Sequence, residues 1–267
     1  MKIKPVTSRD NALYKHLKLL AASTQARKKA GLSVLDGAHL VNAYLERRGA
    51  PSTLVVSDSG IRKPEIARLV MSAGIEALQL SDPLFHSIST VVRDTGLMAT
   101  VATPQEALPP TVSDDCLLLE KIQDPGNMGS LLRSAAAAGV RHVFCSPHTV
   151  YAWSPKVLRA GQGAHFSLTI VEGVELTEVI DRLRVPLIAT SSHAASAVHD
   201  LDLTQPVAWV FGNEGAGLSD AVLARARQRA MIPMPGGAES LNVAAAAAVC
   251  LFEAVRQRRK KESAWIK

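Results

Sequence analysis

Residues 117–140 read LLLEKIQDPGNMGSLLRSAAAAGV, from Leu117 to Val140. An apolar run passes into a Pro/Gly/Asn turn and then into an alanine-rich segment with the composition of a helix. A strand, such a turn and a helix start leave backbone N–H groups facing outward, which suits an anion or nucleotide in many unrelated proteins. Two later stretches, Val210–Ser219 (VFGNEGAGLS) and Ile232–Ala245 (IPMPGGAESLNVAA), also place glycines between an apolar strand and a helix. Three such turns in one domain point to a single composite pocket.

Around this stretch apolar strands alternate with helices. Strands are expected at Asp115–Leu119, His142–Phe144, Leu168–Val171, Pro186–Thr190, Ala208–Phe211 and Ala230–Ile232, and near-continuous apolar strands of this kind belong to a parallel sheet covered on both faces. The final helix, Leu241–Arg258, begins almost wholly apolar and ends in RQRRKK, a basic end that suits the helix dipole. Upstream, Thr103–Ser113 (TPQEALPPTVS) has three prolines and no periodicity and reads as a linker. Before it, helices are expected at Asn11–Ala22, Ala38–Arg47 and Pro64–Ser72, with a short one at Asp82–Ser87 capped by Asp82. Strands are expected at Ser33–Asp36, Thr53–Ser57, Glu76–Leu80 and Gly96–Ala102. In the first helix Leu13, Leu17 and Leu20 share the apolar face. The fold class is therefore α/β: a smaller α/β domain over 1–105, a linker over 106–113 and a parallel-sheet domain over 114–267.

The 267 residues suffice for such cores without staples, and no apolar run is long enough to cross a bilayer. The N-terminus lacks an h-region, so the expected location is cytoplasmic. The three cysteines, Cys116, Cys145 and Cys250, form no C-x-x-C pair and have no histidine at metal-ligand spacing, so they read as buried hydrophobes. No metal site is expected. The formal charge of +6 is unevenly spread: residues 1–105 carry 14 Lys/Arg against 8 Asp/Glu, and residues 106–267 carry 16 against 16. Lys2, Lys4, Arg9, Lys15, Lys18, Arg27, Lys28 and Lys29 crowd the first 31 residues. A concentration like this is either a solvated basic face or the footprint of a polyanion partner.

The motifs exclude several classes. There is no G-x-G-x-x-G after the first strand of a βαβ unit, no P-loop and no G-x-S-x-G elbow, which removes a Rossmann dehydrogenase, a P-loop NTPase and a Ser hydrolase. The remaining candidates sit in the glycine turns: Asn127 and Arg133 in the first, Gly212, Asn213, Glu214 and Gly217 in the second, Glu239, Ser240 and Asn242 in the third. Each also has a structural reading, Arg133 as a surface arginine, Glu214 and Ser219 as helix caps, Ser240 as another cap. Residue chemistry alone ends at a small-ligand pocket of backbone turns beside a basic N-terminal domain.

In order and spacing, DPGNMGSLLRSAAAAGV, FGNEGAGLS and IPMPGGAESLNVAAA resemble the three motifs of the SpoU (TrmH-type) RNA ribose 2′-O-methyltransferases of the SPOUT class. The stretch Ser154–Ile170 resembles the family's middle segment. LDGAHLVNAYL and STVVRDTGLMATV are similar to the L30e-like substrate-binding domain that precedes the catalytic domain in ribosomal-RNA members. The resemblance implies a C-terminal trefoil knot, which the general rarity of knots would otherwise argue against. It implies S-adenosylmethionine as cofactor, held by Gly212, Asn213, Glu214, Gly217, Ile232, Met234 and Leu241, and a catalytic set of Asn127, Arg133, Glu214, Ser240 and Asn242. Its implied partners are RNA, above all 23S ribosomal RNA, and a second copy of the chain. A tRNA ribose methyltransferase and a non-catalytic RNA-binding protein on the same fold are the competing readings. Removal of residues 1–105 is expected to weaken RNA binding and leave cofactor binding intact.

Overall fold

The structure is a computed structural model that describes residues 2–91, 96–191 and 194–264, with side chains described as far as Arg259. Within STVVRDTGLMATV, residues 92–95 lie outside the described residues. The N-terminal part runs β1 (Ile3–Val6), α1 (Ala12–Ala22), α2 (Thr24–Ala30), β2 (Leu32–Asp36), α3 (Ala38–Arg48), β3 (Thr53–Ser57), α4 (Pro64–Ser72), β4 (Ala77–Leu80), α5 (Asp82–His86) and β5 (Leu97–Ala102). Its sheet has the order β1-β4-β3-β5-β2, parallel through the first three strands and antiparallel at β5. The core under α1 and α5 joins Tyr14, Leu17 and Leu20 to Val34, Val55, Leu80, Phe85 and Met98.

Three expectations here are corrected. The buried face of α1 is Tyr14, Leu17 and Leu20, while Leu13 is 43% exposed. Tyr14 can go inside because its hydroxyl meets Ser87 Oγ at 2.5 Å, which satisfies its one polar atom. Asp82 does not cap α5, where Ser81 holds the cap position; its carboxylate accepts from the Ser59 N–H at 2.9 Å instead. Strand β1 was not expected, because Lys2, Lys4 and Pro5 hide its pattern; it is an edge strand, where charge and proline are tolerated.

The C-terminal part begins with β6 (Cys116–Leu119), α6 (Pro125–Ala137) and β7 (His142–Cys145), followed by α7 (Pro155–Gly161). It continues through β8 (Thr169–Glu172), α8 (Leu176–Asp181), β9 (Leu187–Thr190), β10 (Ser196–Ala197), β11 (Ala208–Phe211), α9 (Asp220–Leu223), β12 (Gln228–Met231) and α10 (Val243–Ala264). The seven-stranded sheet is ordered β10-β12-β9-β11-β6-β7-β8, and every pairing in it is parallel. Cys116, Leu118, Phe144, Ala189, Ala208 and Val210 face one core with Leu176 and Val179 of α8. Helices α6 and α10 pack on each other and bury Leu131, Leu132 and Ala135 of the one and Ala247, Cys250 and Leu251 of the other.

By contacts the chain divides into one unit of 1–104 with 153–166 and a second of 105–152 with 167–267. The sequence reading placed 153–166 with the second domain; its own contacts lie in the first unit. There α7 packs on β2, the Tyr44 ring meets Phe166 edge-on at 5.3 Å, and Arg48 Nε donates to the Phe166 carbonyl at 3.2 Å. The segment read as a linker is tied down within the second unit. Val112 pairs with Leu183, and Arg182 donates to the carbonyls of Leu108 and Pro109 at 3.0 and 3.1 Å. All three cysteines are buried and free, and burial raises each thiol, that of Cys250 to about 12. Helix α10 runs on to Ala264, past the expected end at Arg258, and within it Arg256 bonds Glu253 and Arg258 bonds Asp115.

Candidate active site

Each glycine-bearing turn leaves the C-terminal end of a strand of the parallel sheet, where ligands of open α/β sheets collect. After β6, Asp124 caps α6: its Oδ1 accepts from the Asn127 N–H at 2.7 Å, and Pro125 occupies the first helical position, where no N–H is needed. After β11, the chain closes a tight loop in which Asn213 and Gly217 exchange backbone hydrogen bonds at 3.0 and 2.9 Å. Gly212 cannot be replaced there without a shift, because a Cβ would lie 2.3 Å from the Gly217 carbonyl carbon. After β12, Asn242 caps α10, its Oδ1 accepting from the N–H groups of Ala244 and Ala245 at 2.9 and 3.3 Å.

The three turns meet through side chains. Asn242 Nδ2 donates to Asn127 Oδ1 at 2.8 Å, and Asn127 Nδ2 donates to Glu214 Oε1 at 3.0 Å. Glu214 also accepts from the N–H groups of Gln123 and Asp124, each at 3.3 Å. Partial burial pushes the Glu214 carboxyl up, but the Asn127 amide and the backbone N–H groups outweigh it and hold the group below the ordinary glutamate range. The carboxylate thus stays ionised at neutral pH and is a weak proton acceptor.

A cavity of about 560 Å³ opens beside this chain of bonds. Its wall includes Asn127, Gly212, Asn213, Glu214, Gly217, Ile232, Met234, Ser240, Leu241 and Asn242, so residues expected from all three turns are brought together. Arg133 is not on that wall. It is exposed on α6, makes no hydrogen bond or ion pair among the described residues, and Asn127 is engaged by Asn242 and Glu214 rather than by it. Glu239 is exposed and also outside the wall. No group of three or more potential metal ligands occurs among the described residues.

Sequence reasoning missed two contributions. Thr190 and Ser191, at the end of β9, complete the wall; their position at a strand's carboxyl end was the available signal. Glu120, only 7% exposed, accepts from the Ser219 N–H at 2.8 Å and from the Ser219 hydroxyl at 2.6 Å, fixing the far end of the 212–217 loop. A lone acid closing the apolar run LLLE was its signal.

Fold and cavity define a parallel α/β domain that presents glycine-rich backbone and amide groups, with one ionised carboxylate, to a small ligand. Residues 115–252 match the SpoU rRNA Methylase family, and the chain belongs to that family. It is 30% identical to the 23S rRNA (guanosine(2553)-2′-O)-methyltransferase RlmP of Bacillus subtilis, over 94% of this chain and 98% of that one. It is 32% identical to the 23S rRNA (uridine(2479)-2′-O)-methyltransferase of Streptomyces viridochromogenes, over 95% of this chain and 92% of that one. The crystal structure of the SpoU methyltransferase AviRb from Streptomyces viridochromogenes in complex with AdoMet superposes with a TM-score of 0.83 at 29% identity, covering 94% of this chain and 100% of that one.

Proposed function

We propose that this protein transfers the methyl group of S-adenosylmethionine to a ribose 2′-hydroxyl of ribosomal RNA, of the large subunit. The observation that carries this reading is the run Asn242–Asn127–Glu214, which joins the three motif turns into one wall of a single cavity. The cavity fits the cofactor: its volume is within the range of small-molecule sites, glycine backbone lies open at Gly215 and Gly217, and Ile232, Met234 and Leu241 offer apolar surface to a base. When bound, the cofactor supplies a methyl group already activated by its sulfonium. The protein's part is therefore alignment and stabilisation of the charge that develops on oxygen.

Glu214 serves as a positioning residue, because a carboxyl held low is a poor base and its hydrogen bonds fix Asn127 and the start of α6. Asn127, Ser240 and Asn242 face the cavity and orient the reacting groups. Arg133, exposed and unpaired among the described residues, takes the adjacent phosphate and stabilises the developing alkoxide. Arginine stays protonated in proteins, so it does not act as the base, and the 2′-hydroxyl proton leaves to solvent water as the methyl is transferred.

The 1–105 region, with its basic α1 and α2, is read as the L30e-like RNA-binding domain. Helix α10 returns against α6 and bonds segment 201–205, a re-entrant path that supports a trefoil knot. A homodimer is supported by Phe252 of α10, which is 47% exposed. No described helix is long and apolar enough to cross a membrane, and the location read for this enzyme is the cytoplasm. The test is titration calorimetry with S-adenosylmethionine together with mass-spectrometric mapping of 2′-O-methyl sites in RNA from a deletion strain. Loss of one site in 23S rRNA is expected; a site lost from tRNA, or no cofactor binding, overturns the reading. Arg133→Lys is expected to lose most activity, and near-full activity would remove the bidentate phosphate role.

A further inference from the structure

Among the described residues, Lys121, His148 and Gln162 have left-handed backbones without being glycine, with φ of +53°, +65° and +49°. In that region an L side chain crowds its own backbone, so glycine or asparagine is the usual occupant. Gln162 is the residue that ends α7, a common place for the conformation. His148 is the third residue of the turn Ser146–Thr149, closed by the Thr149 N–H on the Ser146 carbonyl at 3.3 Å, where Pro147 in second place suits a left-handed residue in third; Lys121 has neither a helix end nor such a turn to explain it.

Lys121 is held from three sides. Its N–H donates to Ser146 Oγ at 2.9 Å, and its carbonyl accepts from Asn213 Nδ2 at 2.9 Å and from Gln123 Nε2 at 3.1 Å. The same Gln123 amide donates to the His148 carbonyl at 2.6 Å, so one side chain ties the two unusual peptides together. The N–H of Gln123 donates to Glu214, which links the pair to the polar wall of the cavity. Glycine could fill either backbone position without strain. The chain instead places there a lysine and a histidine whose side chains are exposed and make no hydrogen bond or ion pair among the described residues. Backbone strain at Lys121, held in place by Asn213 of the cofactor loop while the side chain is left to solvent, marks a group used outside the fold, and Gln123 sets the exposed His148 beside it.

We propose that Lys121 and His148 bind the sugar–phosphate backbone of the RNA beside the reacting nucleotide, Lys121 through a phosphate oxygen and His148 through a hydrogen bond to the same strand. This rests on the reading of the protein as an RNA 2′-O-methyltransferase.

Lys121→Gly and Lys121→Asn remove the ammonium while suiting the backbone, Lys121→Arg keeps the charge, and His148→Asn removes the imidazole. The assays are transfer of labelled methyl to in vitro transcribed 23S rRNA over a salt series, filter binding of the same RNA, calorimetry with S-adenosylmethionine, and Tm. Lys121→Gly and Lys121→Asn are expected to raise the RNA KM on the order of fivefold and to flatten the log–log salt dependence of RNA binding by about 0.7–0.9, the loss of one phosphate contact. The cofactor Kd stays at the wild-type value, Tm is unchanged or raised, and Lys121→Arg restores RNA affinity. His148→Asn is expected to raise the RNA KM with the same cofactor Kd. An unchanged RNA KM and salt slope in Lys121→Gly overturns the proposal, as does a lowered Tm, which would make the lysine a structural group. Failure of wild-type protein to methylate any RNA would instead count against the enzymatic reading. Filter binding by wild type and Lys121→Gly would then still decide the contact.

Discussion

Glu120 shows how one side chain can govern a loop it does not belong to. Its carboxylate is almost wholly buried and receives two neutral donors from Ser219, so it has no cation to share its charge within that contact. In Glu120→Gln one acceptor oxygen becomes an NH2 group, and one of the two Ser219 donors is left without an acceptor. The expected cost is about 1–2 kcal/mol in a urea melt, with S-adenosylmethionine affinity reduced about tenfold because the 212–217 loop loses its anchor. Wild-type cofactor affinity in this variant would show that the loop is held by its own Asn213–Gly217 backbone bonds without Glu120. Asn127, Glu214 and Asn242 were legible as turn residues from their glycine and helix-start neighbours. That they bond one another was not, since Asn242 and Asn127 are 115 positions apart and meet only through the fold.

Helix α10 illustrates the same limit for an element. Its apolar first half announced burial, and Ala247, Cys250 and Leu251 are buried as that pattern requires. Its basic second half gave no hint of its partners. Arg258 bonds Asp115 and the carbonyls of Leu203 and Gln205, and Gln257 bonds both the N–H of Leu203 and the carbonyl of Leu201. The helix thereby fixes the segment that leads into β11 and from there into the cofactor loop. Arg258→Ala leaves Asp115 half-buried without its cation, and a loss of about 2 kcal/mol is expected by chemical denaturation. Lys at 258 is expected to recover only part of it, since a single ammonium cannot reach both oxygens of Asp115 and the two carbonyls.

For the molecule as a whole, acid is expected to act through two carboxyls held below the ordinary glutamate range. The Arg256 guanidinium beside Glu253 lowers its carboxyl against the effect of burial, to about 2, with further help from Gln257 and His199. Glu214 is also held low. A depressed carboxyl binds fewer protons folded than unfolded, so its contribution is complete above pH 4.5, the ordinary glutamate value, and is lost as pH falls toward 2. Melting temperature should therefore decline over that window, and Glu253→Gln should flatten the decline; an equally steep fall in the variant would place the acid sensitivity elsewhere. The division of the chain also changes the expected result of deleting 1–104. That truncation strips Trp153, Val157, Leu158 and Phe166 of the unit in which they are buried. A soluble remainder with native cofactor affinity is no longer expected; aggregation or a lowered Tm is, and replacing 153–166 by a short Gly/Ser linker should improve solubility.

The sequence by itself determined the α/β class, the places of most strands and the three turns that would share a pocket, because apolar runs, glycines and caps act within a few residues of themselves. It also carried the family, through the joint spacing of those turns. Only the tertiary structure decided that Asn242, Asn127 and Glu214 form one bonded wall, that Arg133 stands off it, and that 153–166 packs with the first unit. These are contacts between segments far apart in the chain, and which of the many exposed polar or apolar groups meet is set by strand order and register rather than by local preference.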